Sequence, residues 1–196
     1  MNACSALCTL ARNSEGETIV NGALLEAFRH NAWATKQLLG FCRGLPAEQL
    51  TAPGIGTYGG VLETFNHIVL ADARYLRRLA GSGPPWVDSA GGSDPGDVDP
   101  ERIEIDQLHS RVEETEKLWE ELLSEPFDAE RVIILDQGAY QAHAGVLVAQ
   151  ALHHGNAHRE QICAILTGAG MQPPDVQAWA YAVATGRGGQ RNPTPQ

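Results

Sequence analysis

His154 and His158 stand four residues apart in the run His153-His154-Gly155-Asn156-Ala157-His158-Arg159-Glu160-Gln161. On an α-helix that spacing puts both imidazoles on one face, one turn above the other and about 5–6 Å apart at Cβ. Two imidazoles so placed can grip one metal ion, as in the helical His-x-x-x-His pairs of zinc enzymes. Spacing alone balances that reading evenly against two partly exposed histidines on a decorated helix. A third ligand from another element would decide between them. His67, in Phe65-Asn66-His67-Ile68-Val69, stands among apolar residues of a second helical segment and is the natural candidate. Taken alone, such a histidine is more often a hydrogen-bonded core or boundary residue. Three histidines with an open water position form a catalytic rather than a structural zinc arrangement. Imidazole does not choose sharply among Zn²⁺, Ni²⁺, Fe²⁺ and Co²⁺, whereas Mg²⁺ would want more oxygen ligands. The bound ion lowers the pKa of a water or thiol and so makes a nucleophile at neutral pH.

The other candidates weigh less. His153 points roughly 100° away from His154 around the helix, and His30, His109 and His143 read as surface or boundary residues. The loop 51–60 is rich in glycine but lacks the Gly-Lys-Ser/Thr ending of a phosphate loop. Glu113, Glu114 and Glu116 sit on a solvated helix face. Asp88, Asp94, Asp97 and Asp99 do not follow the ligand pattern of an EF-hand. Cys4, Cys8, Cys42 and Cys163 form no C-x-x-C pair, so a reducing cytoplasm is the expected compartment.

The elements that must position the histidines read as helices. Apolar residues recur at helical spacing over 22–43, 61–79, 105–123 (with a start as early as 101) and 145–169. Between the last two, Val132-Ile133-Ile134-Leu135, a turn at Asp136-Gln137-Gly138 and a return through Ala142 predict a small hairpin or extended arm. Pro173-Pro174-Asp175 is placed to open a short final helix reaching Ala184. Residues 1–20 read as a flexible lead-in without a secretory signal, 81–100 as a mobile acidic connection, 21–188 as one domain, and 189–196 as a flexible tail. The chain has 196 residues, 43% of them hydrophobic, enough for one real core. A net charge of −10 argues against nucleic acid and anionic lipid as partners. No apolar run approaches the ~20 residues that span a bilayer. The fold class expected is all-α, a four-helix bundle, whose core can carry a metal site built from facing helices.

The chain resembles the DinB-like (damage-inducible, YfiT-related) superfamily of bacterial metal-binding four-helix bundles. The resemblance rests on Phe28-Arg29-His30-Asn31-Ala32-Trp33-Ala34, on Phe65-Asn66-His67-Ile68-Val69-Leu70-Ala71-Asp72, and above all on His154-Gly155-Asn156-Ala157-His158-Arg159-Glu160-Gln161-Ile162. Trp179-Ala180-Tyr181-Ala182 also fits, and the likeness covers roughly residues 22–188. It implies an up-up-down-down bundle, a divalent metal on a histidine triad that falls by position on His67, His154 and His158, and frequent homodimers. Characterised relatives include thiol-dependent S-transferases and isomerases that use low-molecular-weight thiols such as bacillithiol or mycothiol.

The function expected is therefore a divalent-metal-dependent enzyme, performing thiol transfer or hydrolysis on a small molecule, with no catalytic residue assigned beyond the ligands. Tyr58, Asn31, Trp33 and Trp179 are candidate pocket walls. The alternatives are a non-catalytic, stress-related metal-binding bundle and a plain helical interaction module.

Overall fold

The computed structural model describes residues 21–87 and 104–189. The readings of residues 1–20 as a flexible lead-in, of most of the acidic connection 81–100 and of all but the first residue of the tail 189–196 lie outside the described residues. Four long helices are present: α1 (Gly22–Cys42), α3 (Val61–Ala80), α4 (Ile105–Ser124) and α5 (Ala144–Gly168). Two short ones, α2 (Ala47–Thr51) and α6 (Ala178–Ala184), follow α1 and α5. Strands β1 (Val132–Leu135) and β2 (Tyr140–His143) form one antiparallel hairpin in the register Val132 to His143. The all-α bundle with a small arm before the last long helix is the architecture found.

Local chemistry sets the helix ends. Asn21 takes a left-handed conformation (φ 57°), which Asn tolerates better than most residues. Its side-chain amide donates to the carbonyls of Leu123 (3.3 Å) and Glu125 (3.0 Å), so the start of α1 satisfies orphan acceptors at the end of α4. The Glu63 carboxylate accepts from the Gly60 N–H at 3.0 Å, half of a capping box, and thereby fixes the start of α3. Arg77 and Arg78 lie in the last turn of α3, where cations suit the helix dipole. At the start of α5, the N–H groups of Ala144 and Gly145 donate to the carbonyls of Arg131 (2.8 Å) and Ala129 (2.9 Å). The arm thus supplies acceptors that the first turn of α5 lacks.

α1 packs chiefly on α4, and α3 chiefly on α5. Arg29 meets Glu120 at 2.6 Å, Lys36 meets Glu116 at 2.5 Å and Arg43 meets Asp106 at 2.7 Å, so α1 and α4 run antiparallel. The apolar core falls into two halves. One gathers the end of α1 (Leu38, Leu39, Cys42), the starts of α3 (Val61, Phe65) and α4 (Leu108, Val112), and the end of α5 (Ile162, Leu166). The other gathers Leu25 and Phe28 of α1, Leu76 and Leu79 of α3, Trp119 and Leu123 of α4, and Leu147 and Ala151 of α5. These groupings give the order up, down, down, up, in place of the up-up-down-down order that the resemblance implied. The physical reason is the long connection between α3 and α4. It lets α4 return to the end where α3 began and run parallel to it.

Between the two apolar halves lies a polar layer. Asn31 and Thr35 of α1, Thr115 of α4 and Arg159 of α5 are all buried there. The histidines sit at the same level, on the side where α3 faces α5. The expected loop holds from residue 52 to 60, and α2 occupies the stretch just before it, to which the sequence pattern assigned no element. Leu50 of α2 is buried in the first core half, and tertiary burial sustains a helix too short to stand alone. Pro173-Pro174-Asp175 does not open α6, which begins at Ala178. The Asp175 carboxylate instead accepts from the Gln177 N–H at 2.9 Å, a local turn just ahead of the helix. No helix of the described residues is long and apolar enough to cross a membrane.

Candidate metal centre

α3 supplies His67, and α5 supplies His154 and His158. One potential ligand atom from each of the three lies within 4.8 Å of the others, and all three side chains are partly buried. The ring centroids of the pairs are 4.5–4.7 Å apart: His67 to His154 4.7 Å, His67 to His158 4.6 Å, His154 to His158 4.5 Å. The His67 and His154 Nε2 atoms approach to 2.9 Å, so one nitrogen donates a proton and the other accepts it. The three sequence-predicted ligands are thus brought together. No cysteine or carboxylate joins the group among the described residues.

This set fits a borderline transition-metal ion. Zn–N bonds of about 2.0–2.1 Å at a tetrahedral angle place two ligand nitrogens about 3.3 Å apart. The His67–His154 pair is a few tenths of an ångström tighter than that, held by the shared proton. Release of a proton and a small parting of two side chains would admit an ion. Burial pushes the His154 pKa down to about 4, with the neighbouring His158, His67 and His153 acting in the same direction. His154 is therefore neutral at physiological pH, with a lone pair available to a metal.

The surroundings orient the rings. His158 Nδ1 donates to the Gln161 side-chain oxygen at 2.8 Å. The Tyr58 backbone N–H donates to the same oxygen at 3.3 Å, which identifies that atom as the acceptor. With the proton on Nδ1, Nε2 of His158 carries the lone pair. Such a partner on the far nitrogen is what ordinarily fixes the tautomer and direction of a metal-binding histidine. Tyr58 also stacks on His67, with centroids 4.0 Å apart and planes 20° apart, and it meets His158 edge-on at 5.7 Å. Tyr75 meets His154 edge-on at 6.0 Å. The glycine-rich loop is what seats Tyr58. A Cβ on Gly60 would come within 2.7 Å of the Thr51 carbonyl oxygen, so only glycine lets the loop close so near α2. The loop is a scaffold for an aromatic wall; its glycines bring the chain close to itself.

Of the other expected wall residues, Tyr58 touches the site. Asn31 is buried beneath it, bound to Arg159 at 2.6 Å. Trp33 belongs instead to an aromatic cluster with His30 and Tyr181 that joins α1 to α6. Trp179 is 82% exposed and has no ring contact with the triad among the described residues. Its place on the outer face of a seven-residue helix, with Tyr181 turned inward, explains the difference. His30 Nε2–H donates to the Val176 carbonyl oxygen at 2.8 Å. His109 and His143 pair with Glu113 and Glu130 on the surface.

Gln161, Tyr75, Gly155 and Arg159 are the residues at or beneath the site that sequence reasoning did not single out. Gln161 lies three positions after His158, a spacing that places the two on one helix face. Gly155 and Arg159 are anomalies of another kind: a mid-helix glycine that caps nothing, and a cation on a buried stripe.

A helical bundle carrying a histidine triad between two facing helices defines the class. The DinB family model matches residues 18–192, most of the chain, and the chain belongs to the DinB family. Comparison with curated proteins gave no match.

Proposed function

We propose that the chain is a divalent-metal-dependent enzyme in which His67, His154 and His158 hold the ion, acting on a small molecule by thiol-dependent S-transfer or by hydrolysis. The observation that carries the reading is the convergence of three imidazoles from two helices, with ligand atoms within 4.8 Å of one another. When bound, the ion supplies Lewis acidity, which generates a thiolate or hydroxide nucleophile at neutral pH. The chain's own residues do the rest. Gln161 holds the His158 proton on Nδ1 and so keeps Nε2 free. Burial keeps His154 neutral. Tyr58 covers the face of His67 and screens it from bulk water.

Zn²⁺, Ni²⁺ and Fe²⁺ all suit the donor set. We place the protein in the cytoplasm as a homodimer; Val132, Ile134, Tyr140 and Val146 expose apolar surface on the arm and the start of α5 that a second copy would cover. A non-catalytic metal-binding bundle is the second reading: the same three-histidine group would hold the ion without turnover.

Metal analysis of the wild type and His158→Ala tests the site. The expected result is one ion per chain in the wild type and a clear loss in the variant. Equal, sub-stoichiometric metal in both would end the proposal. Turnover of metal-loaded protein with small thiols and electrophiles separates the enzyme from the non-catalytic bundle.

A further inference from the structure

Beneath the triad, the residues that follow each α5 ligand form a second constellation. Gly155 comes after His154, and Arg159 after His158. Each step of one residue turns about 100° around the helix. While the histidines face α3, this second stripe faces α1. There Arg159 Nη1 donates to the Asn31 side-chain oxygen at 2.6 Å and lies 3.3 Å from the Thr35 hydroxyl and 3.4 Å from the Asn31 carbonyl. Arg159 is 3% exposed and Asn31 5%. The missing Gly155 side chain makes room for the contact. A Cβ there would stand 2.6 Å from Asn31 Oδ1 and 2.9 Å from Arg159 Nη1. The Thr35 hydroxyl in turn donates to the Asn31 carbonyl at 3.0 Å. Asp72 of α3, five residues after His67 on the same helix, lines the same small internal cavity as Asn31 and Thr35.

We infer that Arg159 is the positioning residue of the histidine site: through Asn31 of α1 it fixes the rotation of α5 that aims His154 and His158 at His67. The buried residues of α5, among them Leu147, Val148, Ala151, Ile162 and Ile165, share one broad face about 120° wide, and on it Arg159 is the one charged side chain, held at the edge that meets α1. A buried guanidinium has few alternative partners, and a small rotation of α5 would strand it. The consequence for metal binding rests on the proposed function; the consequence for the geometry of the histidines does not.

The test uses the full chain with Arg159→Met, which keeps the apolar stem, and Arg159→Met/Asp72→Asn, which also removes the buried carboxyl nearby. Asn31→Ala serves as an independent break of the clasp. Co²⁺ binding is followed by visible absorption at a temperature where circular dichroism shows each variant folded. In parallel, metal-free samples are examined for the NOE between the His67 and His154 rings. The expected result is a loss of Co²⁺ affinity of about tenfold or more in every variant, the low end for residues that support metal ligands, together with loss of the NOE. The double variant is expected to regain thermal stability over Arg159→Met without regaining affinity. Affinity that returns with stability in the double variant, or folded variants that keep the NOE and bind Co²⁺ within about twofold of wild type, would overturn the inference. A wild type that binds no Co²⁺ would refute the metal reading instead, and the NOE would still decide the role of Arg159.

Discussion

Gly155→Ala puts two general effects in opposition, and the structure says which wins. In an open helix interior, alanine is favoured over glycine by about 1 kcal/mol. At Gly155 the new methyl would meet Asn31 Oδ1 at 2.6 Å and Arg159 Nη1 at 2.9 Å. Those atoms are the ends of side chains, but they are buried and hydrogen-bonded to each other, so neither can swing aside into solvent. Overpacking of this kind costs about 1–3 kcal/mol. Parting the charged hydrogen bond between them removes about 1.5–3 kcal/mol more. After the gain in helix propensity, a net loss of about 1.5–5 kcal/mol is expected. For a domain of this size each kcal/mol moves the midpoint by about 2–4 °C, which gives a fall of roughly 3–20 °C. Thermal and urea denaturation of the two proteins in a chelator measure it. An unchanged or raised midpoint would refute the reasoning, because it would mean that the clasp beneath the histidines has room to spare.

Gln161→Leu removes the acceptor that holds the His158 proton on Nδ1; metal affinity by competition with a chromophoric chelator is expected to fall about 10- to 100-fold with little change in stability. Trp119→Ala removes a fully buried ring stacked on Phe28 at 3.9 Å and is expected to cost about 3–5 kcal/mol in urea unfolding, with a smaller cost showing that the second core half collapses readily. The pH dependence of stability has two opposed parts. Burial lowers His154 to about 4 from an ordinary 6.5, so the unfolded chain binds more protons between those values and stability rises with pH across that window. Burial raises Asp72 to about 7 from 3.8, only partly offset by the Trp119 N–H and the Arg159 charge, so the folded chain binds more protons and stability falls with pH over nearly the same range. Chelator-treated His154→Gln is therefore expected to tilt the stability profile from pH 4 to pH 7 downward with rising pH relative to wild type, and Asp72→Asn to tilt it upward; parallel profiles for all three proteins would contradict both assignments.

Much of the fold was legible because the long helices declare themselves by period and by their stops. Gly81, at φ 77°, ends α3 two residues after the last apolar position, and the hairpin follows from four β-branched or aliphatic residues before a turn. Helix directions were not legible, since apolar periodicity says which face is buried and nothing about which end meets which neighbour. α2 was missed because five residues carry too little periodic signal, and its reason to exist is the burial of Leu50 by elements distant in sequence. The convergence of the three histidines was legible because a metal would demand specific donor atoms at a fixed helical spacing, and His67 could be proposed from its apolar setting. Gly155 and Arg159 were not, because they acquire their roles only across helices, through Asn31; Gln161 shares a helix face with His158, but its role shows only once the two side chains meet. Trp33 and Trp179 show the converse: an aromatic residue near a motif is as free to serve a helix junction or the surface as a pocket.

The central claim is that three imidazoles share one ion. X-ray absorption of protein loaded with one equivalent of Zn²⁺ tests it most directly, because the outer-shell scattering of imidazole rings counts histidine ligands. Three imidazole nitrogens at about 2.0–2.1 Å with one further light atom from solvent are expected, falling to two imidazoles in His67→Ala. A sulfur ligand at about 2.3 Å, or fewer than three imidazoles in the wild-type protein, would contradict it.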